Sequence, residues 1–187
     1  MASLSDHPDV VELLARYSRW RDIYMRAGVP PWDSPDLDAD TLHFRRGHPH
    51  PDWYGFAISK DVDERYAVLN VSTEHQNTPT EGVDTTFSSV REAGNYIIYN
   101  IGDFLRIECR LDPISWTFRD AGMSPDVEEK VPIDERHAKY QLRNSPDTYF
   151  VTGAGGISWT NWLLTMSYDD LDRRLTDGLP TGPSGEG

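Results

Sequence analysis

Strand-forming segments occur in two runs in this sequence, and a long helical segment separates the runs. The first run holds segments at 42–46, 53–59 and 65–72, and the second holds segments at 137–143 and 148–152. Parallel sheets alternate each strand with a helix, whereas these strands follow one another directly. The sequence therefore predicts an α+β fold with a mostly antiparallel sheet.

Three helices are predicted around this sheet. Residues 8–27 and 87–111 repeat apolar side chains at steps of three and four residues. Ser167 is expected to cap a short C-terminal helix, with an acidic residue three positions later. Gly94 and Gly102 each weaken the long central helix by roughly 1 kcal/mol, which indicates close packing there, against the sheet.

The remaining segments are predicted to be irregular. Residues 29–41, 73–85 and 112–136 are rich in polar residues and proline. We expect residues 1–175 to form a single α+β domain. The composition of 176–187 predicts a disordered tail.

Charge is the strongest signal in the composition. Eighteen Lys and Arg stand against 31 Asp and Glu, which gives a net charge of −13. Nucleic acid and anionic membranes are therefore poor partners, because a protein that binds either of them needs a concentration of Lys and Arg on its surface. A basic protein partner is favoured, although the same acidity would also serve solubility alone. The single cysteine, Cys109, allows no disulfide within the chain, so a cytoplasmic location is expected.

The glycine-rich stretch Thr152–Ile157 is similar in letters to a dinucleotide-binding loop. Such a loop must lead from a strand into a helix within a longer parallel unit. Too few residues follow Gly156 for that unit, and residues 157–162 alternate as a strand would. The stretch is therefore interpreted as a hairpin turn between two strands. A small ligand-binding protein or enzyme that uses Gly153–Gly156 remains an alternative.

Three histidines, His43, His48 and His50, lie close together in the sequence, near acidic residues. Such a group could bind a metal, but the prolines between them favour a solvated turn. The chain contains no nucleophile elbow, P-loop, H-E-x-x-H or C-x-x-C motif. We therefore predict no catalytic residue, no cofactor and no metal site, and the absence of strong motifs favours a binding protein.

Aromatic residues beside acidic or irregular segments are the candidate contacts for a partner. Trp32 and Trp53 flank the acidic, proline-rich stretch, and Trp116 lies in the irregular middle of the chain. Tryptophan often anchors protein interfaces. Together with Asp33 and Asp36, these are the predicted partner-binding residues. The alternative is that each tryptophan fixes a loop to the core.

The order of these segments resembles the actinobacterial immunity proteins of the tuberculosis necrotizing toxin type. The resemblance is carried by Tyr24–Gly28, by WYGFAIS and RYAVLNVS, by Arg91–Arg106, by YQL and YFVTG, and by Ser167–Leu175. It implies a cytosolic α+β protein that binds the catalytic domain of a cognate secreted toxin, an NAD glycohydrolase, and sterically blocks it. An acidic adaptor for a basic protein partner is a further alternative.

Overall fold

An antiparallel sheet of eight strands is the central element of the computed structural model, which describes residues 4, 7–61, 63–73, 79–134, 137–153 and 158–180. The strands are β1 (Asp36–Asp38), β2 (Thr41–Arg46), β3 (Tyr54–Lys60), β4 (Tyr66–Ser72), β5 (Thr80–Phe87), β6 (Val127–Asp134), β7 (His137–Leu142) and β8 (Tyr149–Gly153). They lie in the order β1-β2-β3-β4-β5-β8-β7-β6, and each neighbouring pair is antiparallel. The α+β fold expected from the sequence is confirmed.

The helices are α1 (Pro8–Arg26), α2 (Val90–Glu108), α3 (Ile114–Ala121) and α4 (Tyr168–Thr176), with a 3₁₀ helix at Ser158–Thr165. The predictions of α1, α2 and α4 are confirmed. Hydroxyl side chains cap two of them, because Ser89 accepts from the Arg91 amide and Ser167 accepts from the Asp170 amide.

Most of the core lies between one face of the sheet and the helices. Alternate side chains of β2, β3 and β4 point into it, among them Phe44, Phe56 and Val68. Trp53 and Val71 belong to a separate, smaller cluster that also contains Ala57 and Leu69 and lies on the opposite face. The sheet therefore has one face continuous with the main core and another with only a local apolar cluster.

The two glycines of α2 mark its contact with α4. A Cβ atom added to Gly94 would collide with the hydroxyl of Tyr168, and one added to Gly102 would lie 2.6 Å from a methyl carbon of Leu175. The close packing expected at both positions is present. Its partner is helix α4 rather than the sheet, so that part of the prediction is wrong.

Three segments predicted as loops contain regular structure. Strand β1 lies within 29–41, β5 overlaps 73–85, and 112–136 contains both α3 and β6. Strand β5 is exposed over its first four residues, so its sequence lacks a clear apolar alternation. Helix α3 has eight residues and buries only two of them, which leaves a weak periodic signal.

The C-terminal region differs from expectation at two places. The strand predicted at 157–162 is wrong, because residues 158–165 form the 3₁₀ helix. Leu163 and Leu164 are both buried, which a helical turn permits and a simple alternating strand does not. Leu179 packs into the core, so the ordered chain extends past the expected boundary at 175. Residues 154–157, most of the glycine-rich turn, and 181–187 of the expected tail lie outside the described residues.

Candidate functional site

Trp32 is a core residue. Its side chain is only 1% exposed, and its ring stacks on Phe56 with centroids 5.9 Å apart. It also meets the edge of Tyr54 at 5.6 Å. The expectation that Trp32 is exposed for a partner is therefore wrong. Its role is the alternative one, in which a tryptophan fixes the proline-rich loop to the core.

Trp53 is also buried, on the sheet face opposite the main core. It is 8% exposed and packs against Ala57 and Val71. The guanidinium of Arg45 lies 5.6 Å from its ring centroid, and His48 meets the ring edge-on at 5.3 Å. Its expected exposure is likewise wrong, because these neighbours cover the ring.

The two predicted acidic contacts have different environments. The carbonyl of Asp33 accepts from the Tyr17 hydroxyl at 2.8 Å, and its carboxylate accepts from the His48 amide at 2.9 Å. Asp33 therefore holds the proline-rich loop in place. Asp36 pairs with Arg45 at 3.1 Å while its side chain remains 60% exposed, so it is available at the surface.

Trp116 is the one predicted tryptophan that lies open to solvent, with 49% of its surface exposed. It stands on α3 beside a concavity of about 330 Å³ between α2 and α3. We call this concavity the α2–α3 groove. It is lined by Tyr99, Asn100, Asp103, Phe104, Ile107, Ser115, Trp116, Arg119 and Trp159.

The α2–α3 groove has an apolar surface that includes two residues not predicted from the sequence as partner contacts. Phe104 is 36% exposed and Ile107 is 53% exposed. The two stand three residues apart on α2, so both face the same side of the helix. Phe104 also contacts the ring of Trp32, with centroids 6.3 Å apart, and so joins the groove to the core. In the sequence, the spacing of three residues between these two apolar side chains is the pattern that indicates a shared helix face.

A buried carboxylate fixes the two walls of the groove to each other. Helix α3 begins after Pro113, which supplies no side-chain cap. Asp103 of α2 takes that role, because one oxygen accepts from the Ile114 amide at 2.7 Å and the other accepts from the Tyr99 hydroxyl at 3.0 Å. Burial, reinforced by the charge of Asp103, raises the pKa of Tyr99 above its ordinary value.

Arg119 supplies an exposed positive charge to the groove. Its guanidinium makes no hydrogen bond or ion pair with any other residue that the structure describes. Arg26 and Arg110 are likewise without a partner among the described residues, whereas Arg46 binds both carboxylate oxygens of Glu108, at 2.7 and 3.1 Å. The groove therefore combines apolar side chains with a cation that has no described partner.

The three histidines do not form a metal centre in the described structure. His43 is buried on β2, where burial and the nearby Arg45 lower its pKa. His48 packs against Trp53 instead. Across the described ranges, no three or more His, Cys, Asp or Glu residues are arranged to hold a metal ion.

Within the same ranges, no helix combines the length and apolarity needed to cross a membrane.

No protein-family model matches this chain, and no curated protein is significantly similar to it in sequence. Among solved structures, Rv3902c from M. tuberculosis is similar, with a TM-score of 0.56. The two share 13% sequence identity, and the alignment covers 86% of this chain and 88% of Rv3902c. At that identity, the similarity shows that this chain and Rv3902c share a fold.

Proposed function

We propose that this protein is a cytoplasmic immunity protein that binds the catalytic domain of a cognate secreted toxin, an NAD glycohydrolase, and sterically blocks its active site. The family resemblance of the sequence supports the choice of toxin. The structural observation that carries the proposal is the α2–α3 groove, where Trp116 stands exposed beside further apolar side chains. A concave apolar surface with an exposed tryptophan is typical of the centre of a protein interface.

The construction of the groove supports tight binding. Exposed loops lose conformational freedom when they bind, and this loss reduces affinity. Here the apolar side chains stand on two helices that Asp103 joins by a hydrogen bond to the first amide of α3. A surface already held in one conformation loses less entropy on association.

The overall charge supports a partner with a basic surface. A protein with a net charge of −13 attracts positively charged proteins over several ångströms and so speeds their encounter. Asp36 is an exposed part of this acidic surface. The groove would then provide the short-range contacts that keep the complex together.

The binding experiment uses the catalytic domain of an NAD-degrading toxin encoded in the same genome. Isothermal titration calorimetry should show a complex with a Kd of about 1 μM or tighter. Trp116→Ala should weaken it by about 30-fold or more, as expected for a central tryptophan. Val11→Ala, which shortens an exposed apolar side chain of α1, is the control and should change the Kd less than about threefold. Absence of a complex with the unaltered protein would overturn the proposal.

An enzyme assay separates an inhibitor from an adaptor. An immunity protein should stop NAD consumption when it binds, because substrate can no longer enter the toxin. An adaptor would form the complex and leave NAD consumption unchanged.

A further inference from the structure

We infer that the α2–α3 groove recognises an apolar side chain that stands beside a carboxylate on the partner, and that Arg119 pairs with that carboxylate. This inference rests on the proposed function in one respect, namely that the partner is a toxin protein. Beyond that function, it states which chemical groups make the contact and that Arg119 is the residue that recognises the carboxylate.

The size and surface of the groove fit an apolar side chain. Its volume of about 330 Å³ lies at the lower end for ligand pockets. That space suits one or two large side chains rather than a whole helix. Phe104, Ile107 and Trp116 present carbon surface to it, and water released from such a surface favours an apolar occupant.

The carboxylate on the partner protein is inferred from the positive charge that Arg119 places in the groove. The acidic residue that lines the same groove is Asp103, and both of its oxygens already accept hydrogen bonds, from Tyr99 and from the Ile114 amide. The guanidinium of Arg119 is exposed and has no partner among the described residues, so its donors are available to a group on the partner protein. A guanidinium binds a carboxylate through two parallel hydrogen bonds. A phosphate-rich partner is disfavoured, because the net charge of −13 repels a polyanion.

This local contact is compatible with a partner whose surface is mainly basic. Long-range attraction depends on the summed charge of each protein, whereas pairing at the groove depends on the groups within hydrogen-bond distance. The arrangement would also discriminate between partners. A toxin with a cation opposite Arg119 would place like charges together.

Charge reversal tests the inference in the complex. Arg119→Glu should weaken toxin binding by about tenfold or more, because it places a carboxylate against a carboxylate. Arg91→Glu is the matched control, since it makes the same charge change at an exposed position of α2 outside the groove. Arg119→Lys should retain part of the affinity, because it keeps the charge without the two-pronged geometry. Equal effects of Arg119→Glu and Arg91→Glu in a complex that otherwise forms would overturn the inference and leave the proposed function intact.

A second measurement needs no toxin. Two blocked dipeptides, N-acetyl-Trp-Glu-amide and N-acetyl-Trp-Gln-amide, differ only in the carboxylate. NMR titration should show that the Glu peptide shifts the indole N–H signal of Trp116 and binds about threefold or more tightly than the Gln peptide. Arg119→Gln should abolish that difference. If the toxin does not bind, the proposed function fails and the peptides alone decide: equal binding of both, or no shift of the Trp116 signal, overturns the inference.

Discussion

Asp172 is an acidic residue that this chain places inside its core. Its carboxylate accepts from the indole N–H of Trp20 at 2.7 Å, from Arg16 at 2.9 Å and from Arg19 at 3.3 Å. Its side chain is only 5% exposed. These contacts join α1 to α4, so the charge is compensated where it is buried.

Removal of this carboxylate should destabilise the protein. Asp172→Ala leaves the buried Trp20 N–H without its acceptor and removes the buried carboxylate that pairs with Arg16. We expect a loss of about 2–3 kcal/mol in the free energy of unfolding. Urea denaturation measures it. Asp169→Asn is the control, because Asp169 also pairs with Arg16 but is 82% exposed, so its loss should cost less than about 0.5 kcal/mol. Similar losses for the two variants would contradict this account of Asp172.

Helix α2 makes the contacts that position both α3 and α4. Its two glycines let α4 approach closely, and Asp103 on the same helix holds the start of α3. Packing against α4 and support of the groove are therefore properties of one helix. Substitutions of the glycines that contact α4 and of Asp103, which caps α3, test these two properties separately.

Alanine at either glycine should destabilise the protein despite its better helix propensity. Gly94→Ala meets the hydroxyl of Tyr168, and Gly102→Ala meets Leu175; both of these side chains are buried. Overpacking of this kind costs about 1–3 kcal/mol, against a gain of about 1 kcal/mol in propensity. Gly82→Ala in β5 is the control, since its added Cβ meets no atom within 4 Å. Thermal or urea denaturation that shows either helix variant more stable than the unaltered protein would contradict the close packing.

Loss of the cap from Asp103 should loosen α3 and weaken partner binding. Asp103→Ala removes the acceptor of the Ile114 amide, and the expected cost is about 2 kcal/mol. Hydrogen exchange should speed up in the first turn of α3, while Asp112→Ala, an exposed control, should leave it unchanged. Unchanged protection of α3 in Asp103→Ala would show that the cap does not hold this helix.

The core of the protein contains several tyrosines whose hydroxyls are removed from water. Burial is the largest cause of the raised pKa in each case. The residues are Tyr17, Tyr24, Tyr96, Tyr99 and Tyr168. The folded protein therefore holds these protons more tightly than the unfolded chain does.

Stability should consequently fall as the pH rises above about 10, the ordinary pKa of tyrosine. The sign follows because deprotonation of these hydroxyls is easier in the unfolded chain, so alkali favours unfolding. Tyrosinate absorbance and circular dichroism, followed together, should show the buried tyrosines ionising in the same transition in which helical signal is lost. Ionisation of all five with the circular dichroism unchanged would contradict their burial.

The fold could be predicted where apolar periodicity is strong and long. Helices α1 and α2 and the strand pairs β3–β4 and β7–β8 have such patterns, and each was expected from the sequence. Strand β5 and helix α3 were missed because each buries few side chains, and tertiary contacts rather than local pattern define them.

The site was harder to predict than the fold, because sequence gives residue type and neighbours but not exposure. Trp32 and Trp116 both lie near proline or polar residues, yet one is 1% exposed and the other 49%. Arg119 was not predicted either, since its exposure and its place in the α2–α3 groove are set by the folded arrangement. Which of these side chains is exposed is therefore set by long-range packing.

The most direct measurement is the rate of NAD consumption by the toxin domain as this protein is titrated in. The proposal predicts that NAD consumption falls in proportion to the added protein and stops near one molar equivalent. It also predicts that Trp116→Ala requires a large excess for the same effect, because the groove around Trp116 makes the decisive contact. Unchanged NAD consumption in an equimolar mixture would contradict the central claim.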